Sequence, residues 1–330
     1  MIKTFGLGAL IAGSLALSAP AASAAEFINV LTGGTSGVYY PLGVAMADIY
    51  AKNIPDARTQ VQSTKASVEN LNLLQQGRGE IGFALGDSVK DAYEGNEEVG
   101  FSKPLDKLRA IAAIYPNFIQ IAASAEAGVT TATELAGKSV SVGAAKSGTE
   151  VNARKILGAL DMSYDDLGKV EYLPFAESVE LMKNRQLDAT LQSSGLGSAA
   201  LKDLSSTQDV TYVSIPAEVA ETLGAPYAAG VIPAGTYPGQ DADVPTLAIT
   251  NILVTSSDVS DELAYQMTKL LFENLDQLKA AHAAAGDIDL ERLGQGVDDR
   301  DADAVQAAGG LVDLGVELTA GMQRRHDDFE

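Results

Sequence analysis

Short apolar runs alternating with helical patterns constrain this chain more than any other feature. Phe27–Leu31, Thr59–Gln62, Ile81–Leu85 and Ala110–Tyr115 read as strands, and Tyr39–Lys52 and Ser67–Gln76 carry apolar residues at helical spacing. Strand, helix, strand in that order predicts an α/β fold with a largely parallel sheet, because parallel neighbours need a crossover long enough to hold a helix. A second set follows: strands at Ile119–Ser124, Ser139–Val142, Val170–Leu173, Ala189–Gln192 and Val210–Ile215 interleave with helices at Glu150–Leu160, Phe175–Arg185 and Ala217–Leu223. Two α/β lobes are expected.

Two breaks divide the sets. Tyr115-Pro116-Asn117 and Val231-Ile232-Pro233-Ala234-Gly235 each place proline at the end of an apolar run, where a central strand would stop. Beyond the second break come a strand at Pro245–Val254 and a long amphipathic helix at Ser257–Ala285, which begins at a Ser-Ser-Asp cap. The expected division is 1–25 as a signal peptide, 26–116 with 234–330 as a discontinuous first lobe, and 117–233 as the second. A chain that crosses twice between lobes permits hinge closure over a cleft.

The N-terminus suggests a compartment. Lys3 precedes an apolar stretch, Phe5–Leu17, that is too short to span a bilayer, and Ala22-Ser23-Ala24 has the small-residue pattern of a cleavage site. Removing residues 1–25 takes away one lysine and no acid, so a net charge of -21 becomes -22. The expected product is a soluble exported protein, periplasmic in a bacterium, with no affinity for nucleic acid. Cysteine is absent, which excludes disulfides and thiolate metal sites, so stability must come from a core that 46% apolar residues can supply.

Three strand-to-helix junctions carry small polar residues. They are Gly33-Gly34-Thr35-Ser36-Gly37 before Val38-Tyr39-Tyr40, Ser63-Thr64-Lys65-Ala66-Ser67 before Val68-Glu69-Asn70, and Ala144-Ala145-Lys146-Ser147-Gly148-Thr149 before Glu150. Ligands of α/β sheets bind outside the carboxyl ends of the strands, and helix N-termini favour anions through their free N–H groups and dipole. Convergence of all three on one small anion is the expectation. Plain helix capping is the alternative at Ser67 and at Ser147, which stands three residues before Glu150 as in a capping box. Tyr39 and Tyr40 lie about 100 degrees apart around a helix, so one of them must point away from the cleft; one phenol is expected to reach it, with a core role for both as the alternative.

Catalytic patterns are missing. The two histidines, His282 and His326, stand far from any candidate nucleophile motif, and Gly33–Ser36 has neither the Gly-Lys ending of a phosphate loop nor a full dinucleotide fingerprint. Asp299-x-Asp301-x-Asp303 begins like a calcium loop, but Ala304 replaces the turn glycine and Gly310 the bidentate acid. A binding protein with no catalytic residues, no cofactor and no metal is expected, with no exposed apolar stripe to demand more than a monomer.

Several segments in series resemble one family. GGTSGVYYPLG, SVENLNLLQQG from Ser67, DSVKDAY from Asp87, VGAAKSGTEVNARKIL from Val142 and IPAGTYPGQDADVPT from Ile232 look like the TAXI-type receptors of tripartite ATP-independent periplasmic (TRAP) transporters, in order from about Phe27 to His282. The resemblance implies a type II periplasmic binding fold that closes on a small carboxylate such as glutamate, 2-oxoglutarate or a related dicarboxylate or amino acid. It further implies delivery to an ion-gradient-driven membrane permease. By motif position it implies a pocket built from Gly34, Thr35, Tyr39, Ser67, Val68, Asn70, Ser147, Gly148 and Thr149. Lys65 joins this set where many members have a Gly-Gly pair, and Asp87 joins it with helix capping as its alternative. Gly195-Leu196-Gly197 lacks the proline of that turn in relatives, and Arg109, Arg154 and Arg185 match no carboxylate clamp. A sensory receptor for a membrane kinase, and an exported α/β enzyme, are the competing roles.

Overall fold

The computed structural model describes residues 26–288. The expected signal peptide, the Asp298–Asp303 run and His326 lie outside the described residues. The first half of the chain forms β1 (Phe27–Leu31), α1 (Tyr39–Asn53), β2 (Arg58–Gln62), α2 (Ser67–Gln75), β3 (Ile81–Leu85) and α3 (Gly86–Glu94). Apolar periodicity and local stop signals explain these bounds. α1 buries Leu42, Met46 and Ile49, each worth roughly 1.5–3 kcal/mol relative to exposure, together with the ring of Tyr50. It stops at Ile54, which precedes Pro55 and is therefore extended. β3 is buried at every position, as suits an inner strand covered on both faces.

β4 (Leu108–Ser124) then runs unbroken through Pro116, where the sequence predicts a stop. Two local facts allow it. The β4 register against its neighbour shifts beside Pro116, and the pairing on the opposite edge starts only at Phe118, so no ladder needs the missing N–H. The chain continues through β5 (Ser139–Ser141), α4 (Gly148–Ala159), β6 (Lys169–Glu171), α5 (Phe175–Lys183), β7 (Ala189–Ser194), α6 (Ala199–Thr207), β8 (Val210–Val213), α7 (Glu218–Leu223) and β9 (Ala228–Ile232). It returns along β10 (Val244–Ser256) and ends in α8 (Asp261–Glu273) and α9 (Leu275–Ala281). α6 and β9 were not foreseen from the sequence, and α3 only as the helix that Asp87 would cap.

The strands form one hydrogen-bonded path, β2-β1-β3-β10-β4-β7-β5-β6, with β8 on β4 and β9 on β10. The expectation of a largely parallel sheet holds only at its flanks. β2-β1-β3 and β7-β5-β6 are parallel, whereas the central β3-β10-β4-β7 pairings are antiparallel. The long strands β4 and β10 thus lie side by side and belong to both halves.

Each half is a three-layer α/β/α unit. In the first, Ile28, Val30, Phe83 and Leu253 pack under α1, α8 and α9, while Leu31 and Val254 share a cluster with Leu71 and Leu74 of α2 and Ala92 of α3. In the second, Ile121, Val140, Leu247 and Ile249 pack with α4 and α7, and Ala122, Ile232 and Tyr237 pack with α5 and α6. Along the return, Tyr237, Leu247 and Ile249 pack in the clusters of the second half, and Leu253 and Val254 in those of the first. The hydroxyl of Tyr237, in the β9–β10 connection, donates to Gln120, which ties that connection to β4.

The expected long helix after β10 is also two helices. Its cap is Ser260, whose hydroxyl accepts from Leu263 N, not Ser257. It breaks at Asn274, whose carboxamide donates back to the Leu270 carbonyl and competes with the helical ladder.

Candidate functional site

The two halves meet around a cavity of about 320 Å³. α1, α2, α4 and α5 all point their N-terminal residues at it: Val38 and Tyr39, Ser67, Gly148 and Thr149, and Phe175 with Ala176 and Glu177 line its wall. Three junctions were expected to converge, and a fourth joins them at Pro174-Phe175. Only α4 has a side-chain cap, since Ser147 Oγ accepts from Glu150 N at 3.1 Å. α1, α2 and α5 begin at Val38, Ala66 and Pro174 without one, which leaves their first N–H groups for another acceptor.

Eight of the residues singled out from the sequence line the cavity: Gly34, Thr35, Tyr39, Lys65, Ser67, Ser147, Gly148 and Thr149. Val68, Asn70 and Asp87 do not. Val68 is buried against Leu71 and Phe101. Asn70 works from behind: its carboxamide donates to the carbonyls of Thr32 and Phe83 at 2.7 and 2.8 Å, and Thr64 Oγ1 lies 2.6 Å from its oxygen. It thereby fixes the ends of β1 and β3 and the loop before α2 relative to one another.

Asp87 is a link between halves. It is 1% exposed, and its Oδ2 accepts from Tyr227 at 2.7 Å, Asn152 at 2.9 Å and Lys155 at 3.2 Å, all three from the second half. Lys155 also reaches Asp91 at 2.6 Å. Burial raises the Asp87 pKa above the ordinary carboxylate range, with the Lys155 charge pulling the other way. Burial works against the charged form of Lys155 too, but Asp87 and Asp91 outweigh it and raise its pKa.

Tyr39 reaches the cavity while Tyr40 does not line it. The Tyr39 ring stacks on Phe83 at 4.8 Å, and its hydroxyl donates to Asn251 Oδ1 at 2.5 Å. Burial raises its pKa, opposed in part by the Ser67 hydroxyl beside it. Ser67 follows the cap residue of α2 and does not itself cap; its Oγ accepts from Leu85 N. Arg109, Arg154 and Arg185 lie elsewhere: Arg154 pairs with Glu150, Arg109 donates to the Asp106 and Leu108 carbonyls, and Arg185 faces Glu126. Lys65 and Glu177 are the charged side chains of the lining, both exposed.

The turns are held in unusual backbone. Ala66 has φ 69 and ψ -145, and Lys146 has φ 62, so two residues with side chains occupy positive-φ positions directly before the starts of α2 and of the Ser147 cap. Across the cavity the halves touch closely. A side-chain carbon at Gly148 would stand 2.5 Å from Ser67 Oγ and 2.8 Å from Leu85 Cδ1, so only glycine lets α4 approach α2 this far. Ala200 N also donates to Ser36 O from the opposite half.

Pro174, Phe175, Glu177, Asn117, Ser193 and Ser194 complete the wall and escaped the sequence reading. Two signals were available. Leu173-Pro174-Phe175 follows the same strand-then-helix grammar as the other junctions, and Ser193-Ser194 is a small polar pair at the end of a strand. Asn117 gave none beyond its place after Pro116.

Residues 30–297 match the model of the NMT1-like family. The chain belongs to the NMT1-like family. Among solved structures it is similar to the alkanesulfonate-binding protein SsuA from Xanthomonas axonopodis pv. citri bound to MOPS, at 14% identity over 91% of this chain and 84% of that one, with a TM-score of 0.46. A putative L-cystine ABC transporter protein from Listeria monocytogenes is similar at 14% identity over 78% and 94%, with a TM-score of 0.49. A substrate-binding protein of an ABC uptake transporter from Streptococcus pneumoniae, with bound histidine, is similar at 11% identity over 77% and 90%, with a TM-score of 0.46.

Proposed function

We propose that this NMT1-like protein is an extracytoplasmic solute-binding protein that captures a small carboxylate between its two halves. The observation that carries this reading is the convergence of four helix N-termini, three without side-chain caps, on one cavity. A carboxylate leaving water must recover its hydrogen bonds, and backbone N–H groups at helix starts supply them with a favourable dipole. Lys65 adds the cationic side chain at the rim, close enough to line the cavity. A net charge of -21 repels anions at long range, but screening confines that effect to about 8 Å at physiological ionic strength, so these local donors decide.

Two halves supply the donors, so the closed state makes contacts that an open state lacks, and that difference is what shifts the hinge equilibrium on binding. The resemblance to TAXI-type receptors favours glutamate, 2-oxoglutarate or a related acid as ligand and a TRAP permease as the recipient. Residues 1–25 act in this reading as a signal peptide cleaved near Ala25 or Glu26. A thermal-shift screen of carboxylates and amino acids tests the core of it, since a ligand that binds the folded state raises Tm. A full library without a single carboxylate hit refutes it. Uptake of the hit by membrane vesicles containing the TRAP permease and this protein, driven by an ion gradient without ATP, tests the recipient.

A further inference from the structure

A chain of hydrogen bonds runs from the cavity wall to the buried link between the halves. Tyr39 donates to Asn251 Oδ1, Asn251 Nδ2 lies 3.4 Å from Asn117 Oδ1, and Asn117 Nδ2 donates to Ser193 Oγ at 2.8 Å. Ser193 Oγ donates to Asn152 Oδ1 at 2.7 Å, and Asn152 Nδ2 donates to Asp87 Oδ2. Both ends fix the direction of these bonds. Asn251 Nδ2 also donates to the Tyr115 carbonyl at 2.9 Å, which can only accept, so Oδ1 faces Tyr39 and the phenol must be the donor. At the far end Lys155 can only donate, so Asp87 Oδ2 accepts, Asn152 presents its nitrogen there, and its oxygen faces Ser193. A proton on Asp87 Oδ1, which has no partner, would leave this polarity unchanged.

The consequence concerns the ligand. Tyr39 and Ser193 are half-buried and line the cavity, yet each has its single hydroxyl proton committed to an asparagine oxygen. Towards a ligand these oxygens can only accept. Asn117 between them is 1% exposed, with its amide engaged on both sides. Donors lie elsewhere on the wall: Thr149 and Ser147 at the start of α4, the helix N–H groups, and Lys65.

We propose that the Tyr39 and Ser193 oxygens are specificity-determining acceptors that select a carboxylate bearing a second hydrogen-bond donor, an amino or hydroxyl group, over its oxo counterpart. This rests on the carboxylate-binding reading of the cavity. An oxo group there gives nothing to the Tyr39 oxygen or to the lone pair that Ser193 Oγ keeps free beside its bond from Asn117 Nδ2, whereas an N–H or O–H satisfies them.

Matched series of 2-amino, 2-hydroxy and 2-oxo acids with three, four and five carbons, together with the 2-amino amides, test it by titration calorimetry on the full protein. The expected result is at least tenfold tighter binding of the amino or hydroxy member than of the oxo member at the preferred length. Tyr39→Phe removes one acceptor and is expected to bring that ratio down several-fold; Asn251→Leu releases the Tyr39 proton and is expected to raise oxo-acid affinity relative to the others. Equal binding of oxo and amino acids by the unaltered protein, or an unchanged ratio in folded Tyr39→Phe, overturns the acceptor assignment and leaves the carboxylate reading standing. Amino amides binding as tightly as amino acids, with the donor preference intact, overturn the carboxylate reading and leave the acceptors standing.

Discussion

Gly148→Ala isolates the contact between the halves. Gly148 is the first helical residue of α4, so alanine is compatible with its backbone and the substitution tests a clash alone. The added carbon would stand 2.5 Å from Ser67 Oγ, 2.9 Å from Ser67 Cβ and 2.8 Å from Leu85 Cδ1. Ser67 and Leu85 are both buried, so neither can swing clear, and the halves must part to relieve the overlap. Forcing one extra carbon into packed surroundings costs roughly 1–3 kcal/mol. An open state carries no such cost. If ligand binding closes the halves, the whole penalty enters the affinity, and Kd for the best carboxylate rises about 5- to 150-fold. The measurement is titration calorimetry beside Gly158→Ala, a control within the same helix where an added carbon meets nothing within 4 Å. Gly148→Ala protein that binds within twofold of the control refutes the coupling of closure to capture.

Two further outcomes concern stability. Ala66 holds a backbone conformation that costs of order 1–3 kcal/mol for any residue with a side chain, so Ala66→Gly should raise the unfolding free energy by about 1 kcal/mol, by urea titration, after glycine's larger unfolded-state entropy is subtracted. Half-buried His282 and buried Asp87 shape the pH profile in opposite directions. Burial, aided by the nearby Lys202 charge, lowers the His282 pKa, so below the ordinary histidine range the unfolded chain binds a proton that the folded protein refuses, and stability falls as pH drops there. Burial raises the Asp87 pKa, so from the ordinary carboxylate range up to that raised value the folded protein keeps a proton that the unfolded chain has released, and stability falls as pH rises through that window. His282→Gln should flatten the first slope and Asp87→Asn the second in denaturation midpoints measured across pH; profiles unchanged by either substitution would show that these groups titrate alike in both states.

The local grammar of this protein is written in its sequence. Apolar period, glycine turns and small polar residues before helices depend on neighbours a few positions away, which is why β1–α1, β2–α2 and β5–α4 and most of the cavity-lining residues at those junctions were legible. The same short-range signals misled at Pro116, because whether a strand tolerates proline depends on which edge is paired, a fact about β7 and β10. The Ser257–Ala285 pattern likewise hid the Asn274 break.

Partnerships across long separations were decided only by the tertiary structure. Tyr39 and Asn251 are 212 positions apart, and Asp87 and Tyr227 are 140 apart, so nothing in either neighbourhood announces that one phenol is committed as a donor or that one carboxylate links two halves. Asp87 and Asn70 carry the chemistry of ligand-binding residues, and only packing turned the first into an inter-lobe link and the second into a brace behind the turns. Residue type fixes what a group can donate or accept; the fold fixes what is left over for a ligand once the protein's own buried groups have been satisfied.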